Sequence, residues 1–452
     1  MTAELFSIPV GDAYLVYAPI RQAAFLANAA VVNLLADLQQ GSPDLSVPGA
    51  NEWLELLRQL EIVDGGEETK PVTTFRGDPK PTTVTLFLTT ACNLRCTYCY
   101  ASAGDTPTRV MTLEVAQRGI DFVLANAIEL GKCEIEIAYH GGGEPSVNWK
   151  TLTESWEYAY RKAAEAGIQV RAAMASNGVM ADDKIDWIIK HLDGVSLSFD
   201  GLPEVHDTHR LTVLGQGSSS AVMHTISRFD AAGFPYGLRL TVTREHLDKI
   251  EASVRFICEN YRPQRIQVEP AYALGRWRDA PSAETAEFIN GFRAASAVAS
   301  AYGHNLEFSG ARVGTLANHF CGVTQDSFCL TADGSVSGCY EVFLEQNNWS
   351  DYFMYGRYNV EKSTYDFNLP ILNNLRKQTV EKHEFCQGCF AKWTCGGDCH
   401  HKALDINGPG EFAGTDRCHI IRELTLDQIL QKVADSGGLF WHQAPPELVI
   451  AQ

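Results

Sequence analysis

The chain has 452 residues, 45% of them hydrophobic and 20% charged, an ordinary composition for a folded globular protein and too apolar for global disorder. A single core rarely grows beyond about 250–300 residues, so more than one packed unit is expected. The net charge of −18 repels phosphate backbones and anionic bilayers, which argues against nucleic-acid and membrane partners.

The first residues, MTAELFSIPVGDAY, carry no basic n-region and no long apolar stretch, and no run of about 18 apolar residues occurs anywhere. A cytosolic protein is therefore expected. In a reducing compartment the thirteen cysteines point to metal or redox chemistry rather than disulfides. Residues 1–80 read as a small module. DAYLVYAP and QAAFLANA suggest a hairpin about Pro19–Arg21, and AAVVNLLADLQQG has helical spacing with a stop at Gly41. NEWLELLRQLEIVDGG repeats that spacing. Hairpin, helix, helix and a possible wing suggest a winged-helix-like unit; a packing extension is the plainer alternative. The proline-bearing stretch ETKPVTTFRGDPKPT reads as a linker.

From residue 83 the rhythm changes. TVTLFLTT, CEIEIAYH, IQVRAAMAS, GVSLSFD, YGLRLTVT and RIQVEPAYA read as strands, each separated from the next by a helical stretch. Alternation predicts parallel βα units: an α/β fold, either a partial (β/α)6 TIM-like barrel or a doubly wound sheet. After Tyr272, TAEFINGFRAASAVASAYG reads as one long helix. Residues 320–420 are dense in cysteine and poor in periodicity, so they need metal staples. ELTLDQILQKVADSG reads as a last helix.

Cys92, Cys96 and Cys99 lie on one loop after the first strand of this region, where parallel α/β folds carry their active sites. Three thiolates hold three corners of a cubane and leave one iron open, whereas structural zinc or a closed cluster takes four ligands. His140-Gly141-Gly142-Gly143-Glu144-Pro145 follows the second strand, with glycines for close backbone approach and a carboxylate that can accept from an ammonium. Ser176-Asn177-Gly178 and Ser198-Phe199-Asp200-Gly201 end the third and fourth strands, with Arg210 soon after. Turn chemistry is the plainer account of both, and a solvated salt bridge that of Arg210.

The Cys-x3-Cys-x2-Cys loop, with Tyr98 before its last cysteine, resembles the radical S-adenosylmethionine (SAM) superfamily. The resemblance implies a [4Fe–4S] cluster on Cys92, Cys96 and Cys99. It implies SAM bound by Tyr98, Gly142, Gly143 and Glu144, the last taking the amino group, with Ser176, Asn177, Ser198, Asp200 and Arg210 on its ribose and carboxylate. Farther on, Cys386-x2-Cys389-x5-Cys395-x3-Cys399, then Cys418, with Cys321, Cys329 and Gly334-x4-Cys339 upstream, resemble the SPASM extension of that superfamily. This implies auxiliary cluster I on Cys321, Cys329, Cys339 and Cys399 and auxiliary cluster II on Cys386, Cys389, Cys395 and Cys418, three [4Fe–4S] clusters in all. Cys329 is the member that some relatives lack, and two structural zincs are the alternative. Cys133 and Cys258 remain, read as small buried hydrophobes.

The implied organisation is a RiPP recognition element (1–80), a radical SAM partial barrel (81–310), a SPASM domain (311–425) and a helix with a tail (426–452). The implied function is a peptide maturase that forms a carbon–carbon or thioether cross-link. Its expected partners are a precursor peptide, whose leader residues 1–80 bind along an exposed hairpin edge, and a reductant such as flavodoxin or ferredoxin. Sulfatase maturases carry an aspartate directly after the Gly-x4-Cys cysteine; here stand Tyr340 and Glu341, the latter a candidate base or an ordinary surface residue. The rivals are an enzyme of the same machinery acting on a protein or small molecule, such as a sulfatase maturase or sugar dehydrogenase, and a non-catalytic metal-stabilised peptide-binding scaffold.

Overall fold

The computed structural model describes residues 3–41, 49–72, 75–280 and 283–442. Two compact units emerge: residues 1–74, 310–321 and 378–452 in one, and residues 75–309 and 322–377 in the other. One division falls between residues 309 and 310, and the N-terminal segment and the last cysteines share one unit.

In the first unit, strands β1 (Phe6–Val10), β2 (Ala13–Ala18) and β3 (Ala23–Ala27) form an antiparallel meander. Helix α1 (Ala29–Gln40) follows, capped by the Asn28 side chain and stopped by left-handed Gly41, then α2 (Ala50–Gln59). The hairpin and both helices match the sequence pattern. Among the described residues between α2 and residue 83 no strand occurs, so no strand stands there for the possible wing. Both faces of the meander carry apolar side chains, which explains its grouping. Val16, Ala18 and Phe25 pack against Val31, Leu35, Leu54 and Leu57 of α1 and α2. Leu15, Tyr17 and Ala24 pack against Ile429 and Val433 of the last helix, Arg417–Asp435. A sheet apolar on both sides needs a cover on each.

The expected exposed hairpin edge is not there. The C-terminal strand Leu439–Trp441 pairs antiparallel with β3, Leu439 opposite Phe25 and Trp441 opposite Ala23. The other edge, β1, contains Pro9, which lacks an N–H for a further ladder.

The second unit holds parallel strands β4 (Thr83–Phe87), β5 (Glu134–His140), β6 (Gln169–Ser176), β7 (Gly194–Ser198), β8 (Tyr236–Val242) and β9 (Arg265–Pro270), hydrogen-bonded in sequence order. Unbroken order is that of a singly wound barrel and excludes the doubly wound alternative, whose order reverses. The short strand β10 (Leu306–Glu307) extends one edge. At the other edge β11 (Cys329–Leu330) lies parallel to β4, and β12 (Ser335–Ser337), β13 (Met354–Asn359) and β14 (Thr364–Phe367) continue antiparallel. Helices α3 (Leu113–Leu130), α4 (Trp149–Ala166), α5 (Asp182–His191), α6 (Pro203–His209), α7 (Ser219–Ala232) and α8 (Ile250–Asn260) intervene, and α9 (Thr285–Ala301) follows β9. Right-handed crossovers put the helices on one face. The strands alternate accordingly: Leu238 and Leu240 of β8 are buried, while Arg239 between them is exposed on the opposite face. That face is polar, as an interior reserved for ligands should be. Cys258 is buried as expected. Cys133 is exposed, because it precedes β5 at the rim after the Gly131 turn.

Candidate functional site

The cysteine loop leaves the C-terminal end of β4 and is braced from several sides. Arg95 N–H donates to Leu211 O (2.6 Å) and Thr97 N–H to His209 O (2.9 Å). Thr97 Oγ1 is hydrogen-bonded to His209 Nδ1 at 2.8 Å. Arg276, after β9, donates its N–H to Cys99 O (3.0 Å) and its guanidinium to Cys96 O, Ala103 O (2.9 Å) and Asp105 (2.8 Å). Sequence reasoning missed Arg276 and His209, since neither lies at a motif spacing.

Leu94 N–H (3.4 Å) and Asn177 Nδ2 (3.6 Å) donate to Cys92 Sγ. Burial, then the Glu144 charge, pushes the Cys92 thiol up to about 12; burial pushes Cys96 up to about 11 despite Arg210. Thiolates at these positions need a strong cation beside them. Among the described residues no three His, Cys, Asp or Glu side chains converge closely enough for one metal ion. Three soft donors spread over one loop and within each other's electrostatic reach suit the corners of a multi-iron cluster.

Beside this loop, a Cβ on Gly143 would lie 2.1 Å from Ala91 O, so only glycine lets β5's end approach the cysteine loop this closely. Glu144 is 2% exposed. Its carboxylate accepts from Ser146 N–H (3.1 Å), Ser176 Oγ (2.9 Å) and Asn177 N–H (2.8 Å). Burial raises its pKa against those donors. Ser176 and Asn177 thus hydrogen-bond to Glu144, and Asn177 also to Cys92, because the end of β6 packs directly on them.

Tyr98, Asp200 and Arg210 form a second buried cluster. Arg210 Nε donates to Asp200 at 2.9 Å, Tyr98 O–H donates to the same carboxylate, and Thr241 N–H adds a bond of 3.0 Å. The Arg210 guanidinium lies 5.2 Å from the Tyr98 ring centre. Burial opposes ionisation of Asp200, but Arg210, His206 and the Thr241 N–H together outweigh it and hold the carboxyl below its ordinary range. The solvated reading of Arg210 fails, since both partners are buried. Ser198 stays half-buried at the end of β7, on the polar face.

Tyr340 and Glu341 follow Cys339. Tyr340 stacks on His140 with ring centres 4.8 Å apart and is hydrogen-bonded to Thr85 at 3.3 Å. Glu341 is half-buried, and its charge helps burial and the Cys99 thiolate raise the Tyr100 phenol. Burial, helped by Arg239, lowers His140 to about 4, so it is neutral near pH 7.

In the first unit, Cys386, Cys389, Cys395 and Cys418 line one enclosed pocket with Phe385, Phe412, Ile421 and Asp398. Asp398 N–H donates to Cys395 Sγ (3.2 Å) and Thr415 N–H to Cys418 Sγ (3.5 Å). Asp398 is itself fixed by Arg417 (2.7 Å) and Thr415 (2.8 Å). Burial pushes Cys386 up to about 12 and raises Cys395 and Cys418. Four thiols around one pocket, two of them buried and two half-buried, fit a closed four-cysteine centre. The other expected set is divided: Cys321 and Cys399 belong to this unit, Cys329 and Cys339 to the other. Cys329 is fully buried beside Phe87 and Phe343, with Ser327 Oγ 3.5 Å from its sulfur.

Residues 86–257 match the family model of the radical SAM superfamily and form a radical SAM domain. The chain is 29% identical over 181 residues to mycofactocin maturase MftC of Mycolicibacterium smegmatis, covering 39% of this chain and 41% of that protein. It is 23% identical over 385 residues to pre-heme d1 synthase of Dinoroseobacter shibae, covering 78% and 90%. The chain spans about half the length of the first curated relatives it matches. Among solved structures, native anSMEcpe with bound AdoMet superposes with a TM-score of 0.63 at 18% identity, over 78% of this chain and 99% of that one. SuiB of Streptococcus suis bound to precursor peptide SuiA superposes with a TM-score of 0.52 at 13% identity, over 92% and 99%. No helix among the described residues is long and apolar enough to cross a membrane.

Proposed function

We propose that this chain is a radical SAM maturase of SPASM type that reductively cleaves SAM and cross-links a precursor peptide through a carbon–carbon or thioether bond. The observation that carries the reading is the meeting, at the C-terminal ends of β4 and β5, of a three-thiol loop and a buried carboxylate across a glycine-tight contact. Relatives named as maturases of mycofactocin and of sporulation killing factor support the peptide class. Cys92, Cys96 and Cys99 would hold the first cluster, Cys386, Cys389, Cys395 and Cys418 a second, and Cys321, Cys329, Cys339 and Cys399 a third. Bound there, the first cluster and SAM supply an electron and a 5′-deoxyadenosyl radical able to abstract hydrogen from unactivated carbon.

The chain's own residues then do four things. Glu144, ionised, receives the SAM ammonium, with Ser176 and Asn177 fixing its orientation. Arg210, aligned by Asp200 and Tyr98, offers its remaining N–H groups to the SAM carboxylate. Arg276 and His209 keep the loop in place. Glu341, beside Tyr100, takes the proton that the substrate releases as the new bond forms, and the electron released with it would go to an auxiliary cluster held by the later cysteines. A flavodoxin- or ferredoxin-like reductant would supply the electron.

Residues 1–80 would recognise the leader by strand addition, and a leader strand on β3 would replace Leu439–Trp441. That occupied edge favours a second reading, in which the same machinery acts on a small molecule; the long alignment with pre-heme d1 synthase supports it too.

Anaerobic reconstitution with iron, sulfide, dithionite and SAM tests the reading. It predicts 5′-deoxyadenosine, and a peptide encoded next to the gene losing two hydrogens. Absence of 5′-deoxyadenosine contradicts the radical reading; its formation with the peptide left unmodified favours the second.

A further inference from the structure

Beyond Arg95 of the cysteine loop itself, Arg210 and Arg276 stand at this end of the sheet with their charges accounted for, whereas the charge of Arg239 in β8 is not. Arg210 pairs with Asp200, and Arg276 pairs with Asp105 and loop carbonyls. The third, Arg239, stands on the polar face of β8 and is exposed there. In register it is flanked by Ser198 of β7 and Gln267 of β9. Its side chain makes no hydrogen bond or ion pair among the described residues. The nearby acid Glu269 is engaged by Gln267 Nε2 (3.0 Å), Tyr272 O–H (3.3 Å) and Ser309 N–H (2.7 Å). Farther down, Arg265 is taken by Glu307.

The position of Arg239 ties it to the reacting end of the barrel. It pairs in register with Ser198, the last residue of β7, Phe199 N–H donates to Arg239 O (3.1 Å), and Thr241 N–H two residues on donates to Asp200 (3.0 Å). His140, neutral near pH 7, does not compete with it for an anion. Solvated and without a counter-charge, the Arg239 guanidinium can take up an anion without first breaking an ion pair.

We propose that Arg239, with Ser198 and Gln267 at its sides, is the receptor for a carboxylate of the substrate, placing an acidic group beside the carbon that loses hydrogen. The proposal rests on the radical reading of the site, which makes this face the substrate's. The planar fork of Arg239 suits a carboxylate bidentately, and the polar neighbours supply the remaining hydrogen bonds. The acidic group is either an Asp or Glu side chain or a free α-carboxylate; both present the same two oxygens.

The test uses the full-length reconstituted protein with SAM bound, titrated by ligand-observed NMR. The side-chain probes are N-acetyl-glutamate α-amide against N-acetyl-glutamine α-amide. The α-carboxylate probes are N-acetyl-tyrosine against its amide. The acid of at least one pair binds about tenfold more tightly than its neutral partner. The pair that shows the preference names the source. Arg239→Gln abolishes it, and Arg239→Lys retains part, since charge survives without the fork. SAM affinity, measured by equilibrium dialysis, changes less than about twofold in both variants, because Arg210 and Glu144 remain. Equal binding of acid and amide in both pairs overturns the proposal on the unaltered protein alone, whether or not a variant folds. So does an acid preference that survives Arg239→Gln. A SAM affinity lowered about tenfold or more in Arg239→Gln assigns the residue to the cofactor's own carboxylate and likewise overturns it. None of these readouts depends on SAM cleavage, so failure of the radical reading registers separately, as missing 5′-deoxyadenosine.

Discussion

The two cysteine sites differ in what surrounds their thiols, which are half-buried at Cys92, Cys96 and Cys99 and, in the four-thiol pocket, buried at Cys386 and Cys395. Around Cys92, Cys96 and Cys99 the neighbours are charged or polar and grouped in pairs: Glu144 with Ser176, Asp200 with Arg210. Around Cys386, Cys389, Cys395 and Cys418 the neighbours include Phe385, Phe412 and Ile421. A site that must admit a charged cofactor keeps polar groups ready for it, whereas the four-thiol pocket mixes those apolar side chains with Lys392, Asp398 and Arg422. Ligand number follows the same logic: three thiols leave a corner for an incoming ligand and four do not.

The largest expected effect separates the two sites outright. Replacing Cys92, Cys96 and Cys99 together by Ala removes about four irons and all SAM cleavage, while iron held by the other cysteines remains. Iron analysis and 5′-deoxyadenosine assay check this, and cleavage surviving in that variant erases the distinction. Next in size, Cys395→Ala opens the four-thiol pocket. It lowers iron content and thermal stability, because metal binding there contributes folding free energy. The EPR signal of the loop cluster persists.

Glu144→Gln has a smaller effect. It leaves iron in place and weakens SAM binding by about 1.5–3 kcal/mol, the worth of a charged hydrogen bond. The pH dependence has a definite sign. Burial raises the Glu144 pKa, and the SAM ammonium favours the ionised carboxylate. Affinity is therefore full above that raised pKa and declines as pH falls through it. Equilibrium dialysis across pH checks the slope, which the Gln variant should lack. The smallest effect concerns the first unit: truncation after Gly438 frees the β3 edge and modestly strengthens leader binding, read by fluorescence anisotropy of labelled precursor. Unchanged affinity argues against strand exchange at that edge.

Much of the second unit was legible in the sequence. Short β-rich apolar runs alternating with helical spacing marked β4 to β9, and cysteine spacing marked both thiol sites. Pairings between distant segments were not legible. The strand Leu439–Trp441 is three residues long and becomes a strand only through β3. The union of residues 1–74 with 378–452 depends on a sheet buried on both faces, and the alternation in AYLVYA does not reveal what covers each. Arg276 and His209 act on the loop from far along the chain, and no local spacing announces them. The hydrogen bonds of Ser176 and Asn177 to Glu144 were not legible either, because only the fold shows Glu144 lying against them.

Low-temperature EPR of the reduced, reconstituted protein, recorded with and without SAM, tests most directly whether the three-thiol loop holds a cluster with an iron open to the cofactor. The account predicts one [4Fe–4S]+ signal that shifts when SAM is added and disappears in the Cys92, Cys96, Cys99 triple-Ala variant. A full set of signals indifferent to SAM, or a SAM-sensitive signal that survives the triple substitution, would contradict it.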